Sequence, residues 1–185
     1  MNILAVDTAG KTAGVALMQD GRLLYEVYFD GGLTHSETLL PLIDTCLKLC
    51  GLTCADIDLF GVNAGPGSFT GLRIGLAAVK GLAFPHNTPC APVSTLEALA
   101  AGHVGQGTVL CALDARRGQV YSAAFDLATH ARLLEDDARA AGSLADFVKN
   151  CKKPLFFVGR SPCTIFATKN PPILMSLVYF VAKIV

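Results

Sequence analysis

Residues 65–75 read Gly65-Pro66-Gly67-Ser68-Phe69-Thr70-Gly71-Leu72-Arg73-Ile74-Gly75. The chain changes period across this stretch. Before it, residues 58–63 form an apolar run of strand length; after it, residues 72–84 read as a helix stopped by Pro85. A strand, a tight glycine turn and a helix in that order indicate an α/β fold. The turn itself supports two readings of equal weight. Its N–H groups and the helix dipole suit a phosphate, or its glycines serve only to bring strand and helix close together. It is not a Walker A loop, because no Gly-Lys-Ser/Thr follows it. Gly71, Gly75 and Ala78 lie at i, i+4 and i+7. They form a flat face of small residues against which another helix can pack.

The chain opens on Ile3-Leu4-Ala5-Val6, a buried-strand run ending at Asp7-Thr8. Residues 12–18 and 22–29 read as two more strands joined at Asp20-Gly21, so three antiparallel strands are expected. A helix follows over 34–50, with Thr34 and Glu37 spaced as a capping box and Gly51 as its C-terminal stop. Leu39, Leu40, Ile43, Leu47 and Cys50 make its main stripe. Leu42, Cys46 and Leu49 widen the apolar surface beyond what one sheet needs, and Pro41 is expected to bend the helix or shift its start. Beyond the glycine loop come a short strand near 91–93 and a helix from Ser94, whose Ser94 and Glu97 form a second capping-box pattern. Residues 102–107 read as the join to a second lobe. There, residues 108–113 form a strand ending at Asp114, followed by strands at 119–125 and near 132–135, a helix from Ser143 and a strand at 155–158. Asp7 and Asp114 thus end the first strands of two similarly ordered units, an internal echo that predicts a duplicated two-lobed architecture. The lobes are placed at residues 1–104 and 105–185.

The 185 residues are 52% hydrophobic and only 16% charged, with 15 basic and 15 acidic side chains. A protein that grips RNA alone carries a basic surplus, so any contact with nucleic acid is expected to be shared with a partner. A neutral, apolar chain of this kind tends to associate. No run reaches the ~18 apolar residues of a membrane span. No secretory signal follows Met1, and the seven cysteines are scattered through apolar segments, which together point to a reducing, cytoplasmic setting. Cys46, Cys50 and Cys54 match no known cluster spacing and read as helix and turn residues. No metal and no cofactor is expected.

Few residues suggest chemistry. Asp7, with Thr8 beside it, and Asp114 stand where a nucleotide-binding lobe would place metal-bridging carboxylates; the competing role, favoured on the residues alone, is an aspartate capping the turn after its strand. His35 and Ser36 are neighbours in a first helical turn, where capping is the stronger reading. His86, His103 and His130 stand apart in loops without metal-ligand spacing. No catalytic constellation emerges.

Five segments together resemble a known family: Ile3-Leu4-Ala5-Val6-Asp7-Thr8, His35-Ser36-Glu37 with Leu39-Leu40-Pro41, residues 65–75, Lys80-Gly81-Leu82-Ala83, and Leu113-Asp114-Ala115-Arg116-Arg117. In order and spacing they are similar to the TsaB (YeaZ) family of bacterial tRNA threonylcarbamoyladenosine biosynthesis, over about residues 1–126. The resemblance implies an actin/Hsp70/sugar-kinase-like fold and a non-catalytic partner subunit. Its implied partners are a paralogous TsaD-like catalytic chain and a TsaE-like ATPase, with a homodimer when the chain is alone and tRNA reached only through the assembly. It implies an interface on the two helices of the first lobe, with His35, Glu37, Leu39, Leu42, Cys46, Gly71, Arg73, Gly75 and Ala78 as candidate contacts. Asp7, Thr8 and Asp114 are the positions of a vestigial nucleotide site. From about Arg160 the chain departs from the family pattern, so the second lobe is expected to be incomplete. The alternative from another class is a small nucleotide-dependent enzyme or a glycoprotease-like hydrolase of the same fold.

Overall fold

The computed structural model describes residues 1–160, and the chain divides into two compact units after Thr95. The expectations about the tail beyond Arg160, including an incomplete second lobe, lie outside the described residues.

In the first unit, strands β1 (Asn2–Asp7), β2 (Ala13–Gln19) and β3 (Arg22–Phe29) form an antiparallel meander. Strands β4 (Leu59–Gly65) and β5 (Cys90–Ser94) add in parallel, giving the order β3-β2-β1-β4-β5. The β2–β3 turn takes positive φ at both Asp20 and Gly21, the conformation in which a two-residue hairpin matches the strand twist. Register places Leu4 opposite Leu17 and Phe60, and Val6 opposite Val15 and Val62. These side chains share one face of the sheet and form one core with helices α1 (His35–Cys50) and α2 (Phe69–Ala83).

Helix α1 starts where its cap pattern says it should. Thr34 N–H and its hydroxyl both donate to the Glu37 carboxylate, at 3.0 and 2.7 Å. Pro41 lies within the helix and does not shift the start. Leu39, Ile43, Cys46 and Leu47 are buried. Each aliphatic side chain taken fully from water is worth ~1.5–3 kcal/mol. The main stripe is therefore corrected in two places: Cys46 turns inward, and Leu40 turns out to solvent. Helix α2 also begins earlier than position 72. Ser68 caps it, its Oγ accepting from Gly71 N–H at 3.3 Å, so residues 69–71 belong to the first turn.

The second unit repeats the plan. Strands β6 (Thr108–Arg116), β7 (Gln119–Asp126) and β8 (Arg132–Ala140) form an antiparallel meander, and β9 (Leu155–Arg160) pairs in parallel with β6. The order β8-β7-β6-β9 reproduces β3-β2-β1-β4. The internal echo is thus a repeated α/β topology, in keeping with the actin/sugar-kinase-like fold that the family resemblance implies. Helix α3 (Thr95–Ala101) packs Leu96, Leu99 and Ala100 on one sheet face, while Leu144, ahead of helix α4 (Ala145–Asn150), packs on the other.

The thiols divide by burial. Cys46 is pushed up to about 12 by burial, with Cys50 beside it adding to the effect, and burial raises Cys111 as well. Because the thiolate is the nucleophile, alkylation of the native protein at pH 8 should spare both while labelling exposed Cys90. Peptide mass mapping before and after unfolding checks this; native labelling of Cys46 would contradict the packing described.

Candidate functional site

The motif residues meet around the turn that follows β1. Asp7 is 3% exposed, and its Oδ1 accepts from Ala9 N–H at 2.9 Å and from the Asn63 amide at 2.8 Å. His35 Nε2–H donates to the Gly10 carbonyl at 3.0 Å, bringing the start of α1 to the same turn. Ser68 N–H donates to the Ala9 carbonyl at 2.8 Å, bringing in the start of α2. The glycines are what allow the approach. A Cβ on Gly67 would stand 2.6 Å from the Ala9 carbonyl oxygen, one on Gly71 would run into the Thr8 carbonyl oxygen, and one on Gly75 into Thr8 Oγ1.

This geometry supports the packing reading of the glycine loop. Thr8 and Ala9 of the same chain stand where a side chain on Gly67 or Gly71 would begin. The glycines serve close packing. The small-residue face of α2 meets Thr8 at the end of β1 and, at Gly71, also His35 at the start of α1, the helix expected beside it.

Asp7 and Asp114 play the same local part in the two units. Asp114 Oδ1 accepts from Arg116 N–H at 2.8 Å, as Asp7 does from Ala9. Both are turn-capping aspartates. Thr8 is buried beside Asp7, whereas Asp114 is exposed in the second unit. Thr8 Oγ1 and the Asn63 Oδ1 atom have no hydrogen-bond partner among the described residues. Ser36 Oγ lies 2.8 Å from Thr34 Oγ1, so Ser36 and His35 each have other partners and form no dyad. No group of three His, Cys, Asp or Glu gathers among the described residues.

The candidate contact residues separate by burial. Leu39, Cys46, Gly71 and Gly75, expected at a partner interface, are buried in this chain's own interior. Leu42 and Ala78 are half-buried against the core, and His35 is half-buried at the turn; Glu37 and Arg73 are exposed. The exposed apolar surface of the two helices instead comprises Leu40 and Leu49 on α1 (50% and 71% exposed) and Phe69, 73% exposed, at the start of α2. Arg73 stacks over the Phe69 ring at 5.2 Å, beside a shallow hollow of about 290 Å³ that also involves Thr70, Ile74 and Ala77. Sequence reasoning missed Leu40, Leu49 and Phe69 as surface residues, because periodicity shows that α1 has two apolar stripes but not which one meets the sheet. It also missed Asn63, whose signal was a lone amide in an otherwise apolar strand.

Residues 32–150 match the family model described as "TsaD: tRNA N6-adenosine threonylcarbamoyltransferase". The tRNA threonylcarbamoyladenosine biosynthesis protein TsaB of Bacillus subtilis is 33% identical over 162 residues, covering 86% of this chain and 71% of the relative. The chain belongs to the TsaB (YeaZ) family. The Escherichia coli TsaB is 40% identical over 129 residues, covering 68% of this chain and 55% of its own length. The chain therefore spans about half the length of that relative. The structure of YeaZ from Pseudomonas aeruginosa superposes with a TM-score of 0.65 at 33% identity, covering 75% of this chain and 68% of that one. No helix among the described residues of this TsaB-family chain is long and apolar enough to cross a membrane.

Proposed function

We propose that this chain is a non-catalytic partner subunit in the threonylcarbamoylation of tRNA adenosine next to the anticodon, working in the cytoplasm. It acts by pairing with a TsaD-like catalytic chain through the outer sides of α1 and α2, and forms a homodimer through the same surface when alone. A TsaE-like ATPase joins the pair, and tRNA is reached through the assembly.

The observation that carries the reading is that two helices touching on one face of a sheet leave large apolar side chains in water. Leu40, Leu49 and Phe69 are held in water by a framework that has no internal use for them. Phe69 with Arg73 over its ring is the aromatic–arginine chemistry that dominates interface energetics. The names of the relatives supply the process, and the match to a family model named for the transferase supports kinship with the catalytic partner. The turn-capping roles of Asp7 and Asp114 support a subunit that supplies no reacting group.

The test is reconstitution. The chain should co-purify with its TsaD-like partner, and mass spectrometry of tRNA nucleosides should find threonylcarbamoyladenosine only when both are present. Modification by this chain alone, or full modification without it, would overturn the proposal.

A further inference from the structure

The β6–β7 hairpin ends in a conformation its residues do not favour. Arg116, Arg117 and Gly118 have φ of 65°, 52° and 76°, three successive left-handed residues after a register shift at Asp114/Arg116. Glycine, asparagine and aspartate adopt this conformation readily, whereas arginine has no short polar group to stabilise it. Both arginines are exposed.

They also differ from the other cations around them. Between Leu96 and Gly159, Arg132, Arg139, Lys149 and Lys152 each stand in an ion pair, and Lys153 donates to the Val148 carbonyl. Among the described residues the Arg116 and Arg117 guanidinium groups have no such partner. Asp114, close by in sequence, directs its Oδ1 to the Arg116 backbone N–H. The tip is carried by two strands whose inward residues, Leu110, Cys111, Ala123 and Ala124, are fully buried. The hairpin tip therefore presents two guanidinium groups without an ion-pair partner among the described residues.

We propose that this tip is a contact point for the phosphodiester backbone of a folded RNA, a reading that rests on the tRNA-modifying role proposed above. Guanidinium is planar, pairs with phosphate oxygens in two-point fashion and stacks on unpaired bases. An exposed arginine gains little from a single small anion, which water and salt screen. A polyanion rewards the same contact by releasing bound counterions. In a chain with balanced charge, two such residues give a weak grip on RNA, measurable at low salt, that a partner strengthens.

The experiment measures fluorescence anisotropy of a labelled unmodified tRNA transcript with the full chain alone, across a low-salt series. The chain is compared with the double variant Arg116→Asn/Arg117→Gly, which suits the turn better. The variant should melt no lower than the parent. It should bind RNA at least roughly tenfold more weakly, and its plot of log K against log salt should be shallower by about 1.4–1.8, the loss of two phosphate contacts. Equal affinity of both chains, or no RNA affinity in the parent even at the lowest salt, overturns the inference. So does complete displacement by millimolar inorganic phosphate, which would indicate a small-anion site, or tighter binding to poly-aspartate, which would indicate an acidic protein. None of these arms uses the catalytic partner, so failure here leaves complex formation untouched, and failure of the complex leaves this result standing.

Discussion

Gly75→Leu should lower the melting temperature and do so without a selective effect on association. A Cβ at position 75 runs into Thr8 Oγ1 and stands 3.5 Å from the Thr8 Cβ, and Thr8 is fully buried at the end of β1. To admit leucine, α2 must lift from the strand, loosening Val79 and Ala83 from Leu4, Val6 and Val62. Overpacking of this kind costs ~1–3 kcal/mol. For a chain of this length each kcal/mol moves the melting temperature by roughly 2–4 °C, so a fall of about 2–12 °C is expected. Gly81 on the same helix is the control. It is exposed and a Cβ there meets nothing within 4 Å, so Gly81→Ala should raise stability by ~0.4–1 kcal/mol. Thermal melts of the two variants, read beside partner affinity per folded molecule, decide the matter. An unchanged melting temperature with weakened association would return Gly75 to the interface.

The converse variant, Leu49→Glu with Phe69→Glu, should leave the fold intact and break the complex. Both side chains are mostly in water, and surface changes away from special features usually stay within about ±0.5 kcal/mol. An interface anchor is worth ~2 kcal/mol or more, and two carboxylates buried without partners add to the loss. Association with the TsaD-like chain should weaken by roughly 100-fold or more, and the homodimer should weaken with it. Calorimetric titration and sedimentation measure the two. Wild-type affinity in both would remove the outer helical surface from the proposal, whatever the stability result.

The contrast between these variants marks how far the sequence could be read. In the first unit strand positions were legible because the apolar runs are short and their stops are chemically explicit: Asp7-Thr8, Asp20-Gly21 and the glycines after Asn63; in the second, β6 and β8 run on to Arg116 and Ala140, past the expected 113 and 135. The start of α1 was legible because Thr34 and Glu37 cap within four residues. Such signals are local, and local hydrogen bonding determines them. The start of α2 was missed by three residues, because Phe69-Thr70-Gly71 looks like loop until Ser68 is seen to cap it.

The succession of elements, the repeated order of the two units and the family could all be read along the chain. These depend on period, punctuation and motif spacing, all carried within short windows of chain. Only the tertiary structure decided which way the glycines face, what Asp7 holds and which leucines of α1 are left in water. Gly75 and Ala78 look alike on a helical wheel. One is buried against Thr8, 67 residues earlier in the chain, and the other is half-buried. A side chain's neighbours across that distance are set by how the sheet and helices stack, and composition along one helix carries no record of that stacking.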